Sequence, residues 1–166
     1  NRAVQHVLIA NSYFLPSRAL KKALQDAASR GVSVRLFLQG RSEYALQYRA
    51  CRSMYGSLLA NGIEIFEYLP SYLHAKVAVI DDRAMVGSAN MDPFSLLLAR
   101  EANVYIDDAG FARDLRARLE AEIKESSQHV TSLAWEKVSW WTRCLDASAH
   151  ALLRLGVALT GRSAEY

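Results

Sequence analysis

The chain has 166 residues, of which 51% are hydrophobic and 22% charged, and its formal net charge is +3. These values suit one domain with its own core and exclude a chain with too little apolar surface to build one. The mildly basic balance fits a phosphate-bearing partner without requiring it. Cys51 and Cys144 are too far apart for a cysteine metal motif, and two free thiols are expected.

Apolar runs and turn residues predict strands that alternate with helices along the chain. Strands are expected at 4–14, 32–38, 63–68, 73–80, 84–86 and 101–106. Helices are expected from Pro16-Ser17 to Gly31, from an N-cap at Ser42 to about Ala60, after Pro93, over 109–125, and in a C-terminal segment that follows a polar link at 126–134. This order predicts an α/β fold, a mixed β-sheet flanked by helices on both faces, with an antiparallel hairpin at Asp81-Asp82-Arg83 and a C-terminal amphipathic helical tail.

His74 and Lys76 form the most informative pair of side chains. Residues two apart on a strand share a face, so the imidazole and the ammonium point the same way at the entrance of the strand predicted over 73–80. A buried lysine needs a carboxylate or a bound phosphate as its partner. The small-residue turn Gly87-Ser88-Ala89-Asn90 adds hydroxyl and amide donors, and together these residues are the parts of a metal-free phosphate site.

Asp81 lies seven residues after His74. At a rise of about 3.3 Å per residue, a straight strand separates the two by roughly 23 Å. Asp81 is therefore expected to shape the hairpin through hydrogen bonds to nearby backbone rather than to touch the phosphate that His74 touches.

The spacing His74-x-Lys76-x4-Asp81-x5-Gly87-Ser88-x-Asn90 resembles the signature of the phospholipase D superfamily. The surrounding segments resemble the bacterial cardiolipin synthases, the B type in particular. These segments are Ile9–Pro16, 65–68, 73–93, Ser95-Leu96, 101–104 and Trp140-Trp141. The resemblance covers nearly the whole chain, which corresponds to the C-terminal half of a two-motif protein. It implies a phospholipase D-type fold and a catalytic half-domain over 1–128 with one motif, followed by a helical tail over 129–166.

The resemblance also implies a mechanism. In such enzymes one histidine attacks phosphorus and forms a phosphohistidine, and a second histidine protonates the departing alcohol and activates the incoming one. Carried over, His74 is the nucleophile or the acid/base, Lys76 and Asn90 hold phosphoryl oxygens, and Ser88 supports them. Glu101 matches the carboxylate that orients the histidine ring, and it is expected to open a strand; an ordinary surface carboxylate is the alternative. No metal or cofactor is implied.

Some positions depart from the family pattern. Asn11-Ser12 stands before Tyr13 where Thr-Pro is frequent, Ala99 stands where many members have Asn, and Phe94 where many have Arg. Tyr13 either lines the cleft or is a buried strand aromatic.

Three tryptophans precede the Ala- and Leu-rich tail. Leu145, Ala149, Leu152, Gly156 and Leu159 fall on one helical stripe, while Asp146, His150 and Arg154 interrupt the apolar run and argue against a membrane-spanning helix. The tail is expected either to lie in the membrane interface or to pack on protein.

No second His-x-Lys occurs in the sequence. Chemistry with two histidines therefore needs a second motif, either from an N-terminal half of a longer chain, as the Asn1 start favours, or from a second copy about a twofold axis.

The leading hypothesis is a cardiolipin synthase-like half that transfers phosphatidyl groups between phosphatidylglycerol molecules and releases glycerol, peripherally on the cytoplasmic side of a bacterial membrane. The alternatives are a phospholipase D or nuclease-type hydrolase, and a non-catalytic phosphate-binding interaction domain. Nucleic acid is not favoured as a partner, because no Lys/Arg stripe interleaved with aromatics is present.

Overall fold

A computed structural model describes residues 3–41 and 43–160. Seven strands form one sheet in the order β6-β5-β4-β1-β2-β3-β7. The strands are β1 (His6–Asn11), β2 (Ser33–Gln39), β3 (Glu64–Tyr68), β4 (Lys76–Ile80), β5 (Arg83–Gly87), β6 (Asn103–Ile106) and β7 (Ser127–Val130). The pairs β1–β2 and β2–β3 are parallel and the other four are antiparallel. The predicted mixed sheet with its hairpin is confirmed.

Within the described residues, seven helices connect and cover the strands. They are α1 (Arg18–Ser29), α2 (Ala45–Arg52), α3 (Tyr55–Leu59), α4 (Pro93–Leu97), α5 (Ala109–Ser126), α6 (Ser132–Glu136) and α7 (Trp140–Leu159). The side chains of Ser17, Asp92 and Asp108 accept amide hydrogen bonds at the starts of α1, α4 and α5, as N-caps do.

Helices pack on both faces of the sheet, as predicted. Alternate residues of a strand point to opposite faces, so Val7 and Ile9 of β1 join a core with α1, α2, α3 and α7, while Leu8 and Ala10 join a core with α5. This two-sided burial explains the continuous apolar run Val7–Ala10 in the central strand β1.

Several predicted element boundaries were wrong. The link expected over 126–134 contains β7, which pairs with β3 at the edge of the sheet. The helix expected up to Ala60 is two helices, α2 and α3, separated at Ser53 and Met54. The N-cap expected at Ser42 lies outside the described residues.

The tail packs on the domain through one face of α7. Asp146, Ala149, Leu153 and Val157 are buried there, and Arg49 of α2 pairs with Asp146 at 3.2 Å. Asp146 therefore lies on the packed face rather than interrupting an apolar one. The boundary expected between residues 128 and 129 falls inside β7, so the separate tail remains a hypothesis.

The opposite face of α7 is exposed. Most of the predicted apolar stripe lies there, since Leu145, Leu152 and Leu159 are 55%, 56% and 81% exposed, and Trp140 and Trp141 stack on each other at a centroid distance of 3.8 Å. Across residues 3–41 and 43–160, no helix combines the length and apolarity needed to cross a bilayer.

Candidate active site

A cleft of about 400 Å³ lies where β1 ends and β4 begins. His74, Lys76 and Asn90 all line it, so the structure brings together three of the predicted site residues although sixteen positions separate the first from the last. His74 precedes β4 rather than lying on it, because the strand begins at Lys76 and not at Leu73 as predicted.

The ring of His74 contacts the ammonium of Lys76. Lys76 Nζ lies 3.3 Å from His74 Nε2, which confirms that the two side chains point the same way. An ammonium can only donate, so Nε2 accepts and the neutral ring carries its proton on Nδ1. The free electron pair of the imidazole is thus on Nε2, beside a positive charge.

Lys76 is half-buried, and burial is the main reason why its pKa is lowered. The negative charges of Glu101 and Asp92 act in the opposite direction and offset only part of this effect. A phosphoryl group in the cleft would supply additional negative charge beside this half-buried ammonium.

Two polar side chains hold the segment that carries His74. Ser12 donates from its amide to Ala75 O at 3.1 Å and from its hydroxyl to Leu73 O at 2.7 Å. The side-chain oxygen of Gln39 accepts a hydrogen bond from the Leu73 amide. Ser12, one of the departures from the family pattern, therefore fixes the backbone on either side of His74.

The loop that carries Asn90 is held by Asn11, the residue before Ser12. Buried Asn11 accepts a hydrogen bond from the Met91 amide at 3.1 Å, and the Leu15 amide donates to Met91 O at 2.7 Å. Asn90 Oδ1 is buried and has no hydrogen-bond partner among the described residues, which is unusual for a native polar group. Residues 11 and 12 thus position both loops of the cleft.

Ser88 and Glu101 pair with each other, and neither is among the residues that line the cleft. The Ser88 hydroxyl donates to the Glu101 carboxylate, and Ser88 Oγ accepts from the Ala102 amide at 3.0 Å. Within the described chain, Glu101 makes no hydrogen bond to His74. Glu101 also does not open a strand, since β6 begins at Asn103.

Gly87 explains the small-residue turn before Ser88. A Cβ atom at Gly87 would lie 2.6 Å from Ala102 O and would clash with the side chain of Asn103. The absence of a side chain lets β6 approach β5 closely enough for the contact between Ser88 and Glu101.

Asp81 lies outside the cleft, as the strand geometry predicted, but its partners were not predicted. Its carboxylate accepts from the amides of Val4, Gln5 and His6 at 2.9, 2.9 and 3.0 Å. Burial raises the pKa of Asp81, and these hydrogen bonds outweigh it, so the net shift is downward. Asp81 thus anchors the start of β1 across the sheet instead of only shaping its own hairpin.

Asp92 and Glu43 also line the cleft and were not predicted as site residues, whereas lining the cleft was one of the two expectations for Tyr13. Asp92 is 3% exposed, accepts from the amides of Phe94 and Ser95, and has a pKa raised mainly by burial. Tyr13 is buried and also lines the cleft, and its hydroxyl donates to Glu43 at 3.3 Å. The signal for Asp92 was the N-cap pattern Asp-Pro before a short helix, whereas nothing local indicated Glu43.

No group of three or more His, Cys, Asp and Glu side chains with the arrangement of a metal site is found in residues 3–41 and 43–160. Beside the carboxylates of Glu43 and Asp92, the cleft holds the imidazole of His74, the ammonium of Lys76 and the amide of Asn90, and these three groups suit the oxygens of a phosphoryl group.

Comparison with known protein families identifies the family of this chain. The family model described as "Cardiolipin synthase, PLD-like domain" matches residues 1–123. The chain belongs to this family. It is 40% identical over 161 residues to cardiolipin synthase B of Escherichia coli O6:H1, a match that covers 96% of the chain but 39% of that protein. It is 39% identical over 127 residues to the probable cardiolipin synthase YwiE of Bacillus subtilis, covering 76% of the chain and 25% of that protein.

Solved structures show the phospholipase D fold. The phospholipase D family member Nuc from Salmonella typhimurium superimposes with a TM-score of 0.66 at 20% identity, covering 79% of this chain and 85% of that one. Phosphatidylserine synthase of Haemophilus influenzae superimposes with a TM-score of 0.66 at 13% identity, covering 98% of this chain and 42% of that one. The predicted fold class and the predicted family are confirmed, and the chain spans about two-fifths of the length of cardiolipin synthase B.

Proposed function

We propose that this chain supplies one catalytic half of a cardiolipin synthase, which joins two phosphatidylglycerol molecules into cardiolipin and releases glycerol. The contact of His74 Nε2 with Lys76 Nζ at 3.3 Å, in a cleft that Asn90 also lines, is the observation that carries the proposal. Membership in the cardiolipin synthase family favours this reaction over phosphodiester hydrolysis.

The reaction has two steps that share one covalent intermediate. A histidine nitrogen forms a bond to phosphorus while the bond from phosphorus to the glycerol oxygen breaks, and a second histidine gives its proton to that oxygen. The second histidine then takes the proton of the incoming hydroxyl, whose oxygen bonds to phosphorus as the phosphorus–nitrogen bond breaks. His74 fills one of these roles, and the lone pair on Nε2 suits attack on phosphorus as well as proton transfer.

Lys76 and Asn90 stabilise the charge that develops on the phosphoryl oxygens. Lys76 would turn from His74 to the bound phosphoryl group, which frees Nε2 to react. Fixed donors in a partly desolvated cleft need little reorganisation as the negative charge shifts, and this is the largest contribution in many group-transfer sites. Ser88 and Glu101 support the arrangement, and Glu101 would orient His74 if its carboxylate turned from Ser88 to the imidazole ring.

The second histidine must come from a second motif. We propose that it belongs to the remainder of a longer chain, because cardiolipin synthase B is much longer than the segment matched here. A twofold pair of copies is the other source. A phospholipid substrate implies contact with a membrane surface, with the protein peripheral on the cytoplasmic side of a bacterial membrane.

The test uses the complete two-motif protein with phosphatidylglycerol in detergent and a metal chelator. His74→Ala should lower cardiolipin formation by at least about 10³-fold, the middle of the range of about 10²–10⁴ for removing a proton-transfer group. His129→Gln is the matched control, because His129 lies on edge strand β7 against Phe66. Cardiolipin formation that persists in His74→Ala would refute the proposal, and phosphatidic acid as the main product would favour the hydrolase.

A further inference from the structure

A second cavity, of about 680 Å³, lies between the start of α1, the junction of α2 and α3, and the C-terminal half of α7. Its lining shares no residue with that of the His74 cleft. The volume falls in the range of about 300–1,000 Å³ that is common for small-molecule sites.

The polar lining of this cavity is cationic. Arg18 and Lys21 approach from α1, and His150 and Arg154 approach from α7. The lining contains no Asp or Glu among the described residues, and none of the ion pairs in the described chain involves Arg18, Lys21 or Arg154. Three cations therefore border one hollow, with Arg18 and Arg154 exposed and Lys21 partly buried, so an anion bound there would meet three positive charges and no carboxylate among the described lining residues.

His150 is held in a defined orientation. The Ser53 hydroxyl donates to Ala50 O at 2.6 Å, so its oxygen accepts from His150 Nδ1 at 3.0 Å. The other ring nitrogen, Nε2, is left for a ligand. Burial is the first cause of the lowered pKa of His150, and the charges of Arg154 and Lys21 add to it, as expected around an uncompensated positive cluster.

The helix α1 adds to the positive potential. The cavity borders Pro16 and Arg18 at the N-terminus of this 12-residue helix, where the macrodipole favours a negative charge. Helix start, three cations and an imidazole thus converge on the same volume.

The remaining walls are apolar. Leu15, Met54 and Val157 are buried below the polar groups, and Leu155 is 56% exposed at the edge. Leu155 also lies on the exposed apolar face of α7, together with Leu152 and Leu159. A ligand with a phosphate head and an apolar tail matches both parts of this lining.

We infer that the cavity between α1 and α7 binds a phosphate group at a site separate from the catalytic cleft, with Arg18, Lys21 and Arg154 as its charged ligands. The phosphate belongs either to an anionic phospholipid at a membrane surface or to a soluble phosphate ester. The inference does not depend on the reaction proposed for His74.

The experiment compares two triple variants of the complete protein, both in a His74→Ala background that prevents turnover. The cavity variant carries Arg18→Gln, Lys21→Gln and Arg154→Gln. The control variant carries Arg113→Gln, Arg118→Gln and Lys124→Gln, all exposed positions on α5 across the sheet. Both lose three positive charges, so a general electrostatic effect is equal in the two. Should the cavity variant fail to fold, Arg154→Gln alone replaces it.

Two probes distinguish the source of the phosphate. One is glycerol 3-phosphate, titrated by calorimetry, and the other is vesicles of phosphatidylglycerol in phosphatidylcholine, measured by flotation. The cavity variant should bind at least one probe tenfold more weakly, while the control stays within twofold of its parent for both. Loss for both probes assigns a soluble-ester site, and loss for vesicles alone assigns a lipid headgroup site. Equal affinities of the two variants for both probes would overturn the inference.

Discussion

Asp81 belongs to the signature motif, and its contacts with the start of β1 allow a structural role to be tested against a catalytic one. Asp81 accepts three amide hydrogen bonds from residues 4–6 and lies outside the lining of the His74 cleft. Its backbone φ of 50° is left-handed, a conformation that Asn tolerates better than Ala. Replacement by Asn removes the charge, and replacement by Ala also removes the acceptors.

The expected magnitude follows from these bonds. One side chain that caps backbone amides contributes about 0.5–2 kcal/mol, and the partial exposure of Asp81 screens its charge. Asn retains an oxygen for the Gln5 and His6 amides but loses the Val4 bond, so Asp81→Asn should destabilise the fold by about 1 kcal/mol. Asp81→Ala loses all three bonds and strains the backbone, for about 2–3 kcal/mol.

The pH dependence has a definite sign. Because the pKa of Asp81 is lower in the folded state, its stabilisation is complete above the unfolded value of about 3.9 and disappears as the pH falls through the folded value. The difference between wild type and Asp81→Asn should therefore be largest near neutral pH and shrink below about pH 4.

Urea unfolding of the complete protein at several pH values measures this difference. Amide hydrogen exchange at residues 4–6 localises it. Cardiolipin formation by the folded Asp81→Asn protein should stay within about threefold of wild type, since Asp81 does not touch the cleft. Unchanged stability together with a loss of activity comparable to that of His74→Ala would refute the structural role.

Two other pairs of substitutions test the close approach at Gly87 and the buried ion pair of Arg52 with Glu67. Gly87→Ala should cost about 1–3 kcal/mol in thermal melts and lower activity, because the new Cβ meets Ala102 O at 2.6 Å and displaces Ser88. Gly156→Ala on α7, where a Cβ would have no atom within 4 Å, should be neutral or stabilising in the same melts. Equal melting temperatures of the two variants would contradict the close approach of β6 to Gly87. Arg52→Met should cost about 3–5 kcal/mol in urea unfolding, because it leaves buried Glu67 without the guanidinium at 2.9 Å. Lys22→Met, on the surface, should cost under about 1 kcal/mol in the same measurement. A small loss for Arg52→Met would show that Tyr55 alone satisfies the Glu67 carboxylate.

The apolar runs of the sequence were enough to predict the six strands β1 to β6, including the exposed edge strand β6. They failed for β7, because Ser127–Val130 is a polar edge strand that the pairing with β3 stabilises rather than burial. They also placed the starts of β4 and β6 too early, at Leu73 and Glu101, since a hydrophobic pattern does not show where ladder hydrogen bonds stop.

The site was predictable where the chemistry is local. His74, Lys76 and Asn90 share one short motif, and the structure brings them to one cleft. Contacts between distant segments were not predictable, such as Asp81 with residues 4–6, Asn11 with Met91, and Ser12 with Leu73, because they depend on the strand order. The role of Glu101 toward His74 stays a prediction.

Covalent trapping of the phosphohistidine is the most direct test of the mechanism proposed for His74. The complete protein is mixed with phosphatidylglycerol that carries a labelled phosphate, quenched in alkali within one turnover, and digested for mapping of labelled peptides. We expect label on a histidine, either His74 or its counterpart in the second motif. In His74→Ala we expect either no label or a label that is not discharged to cardiolipin. Cardiolipin formed by both proteins with no labelled histidine in either would contradict this mechanism.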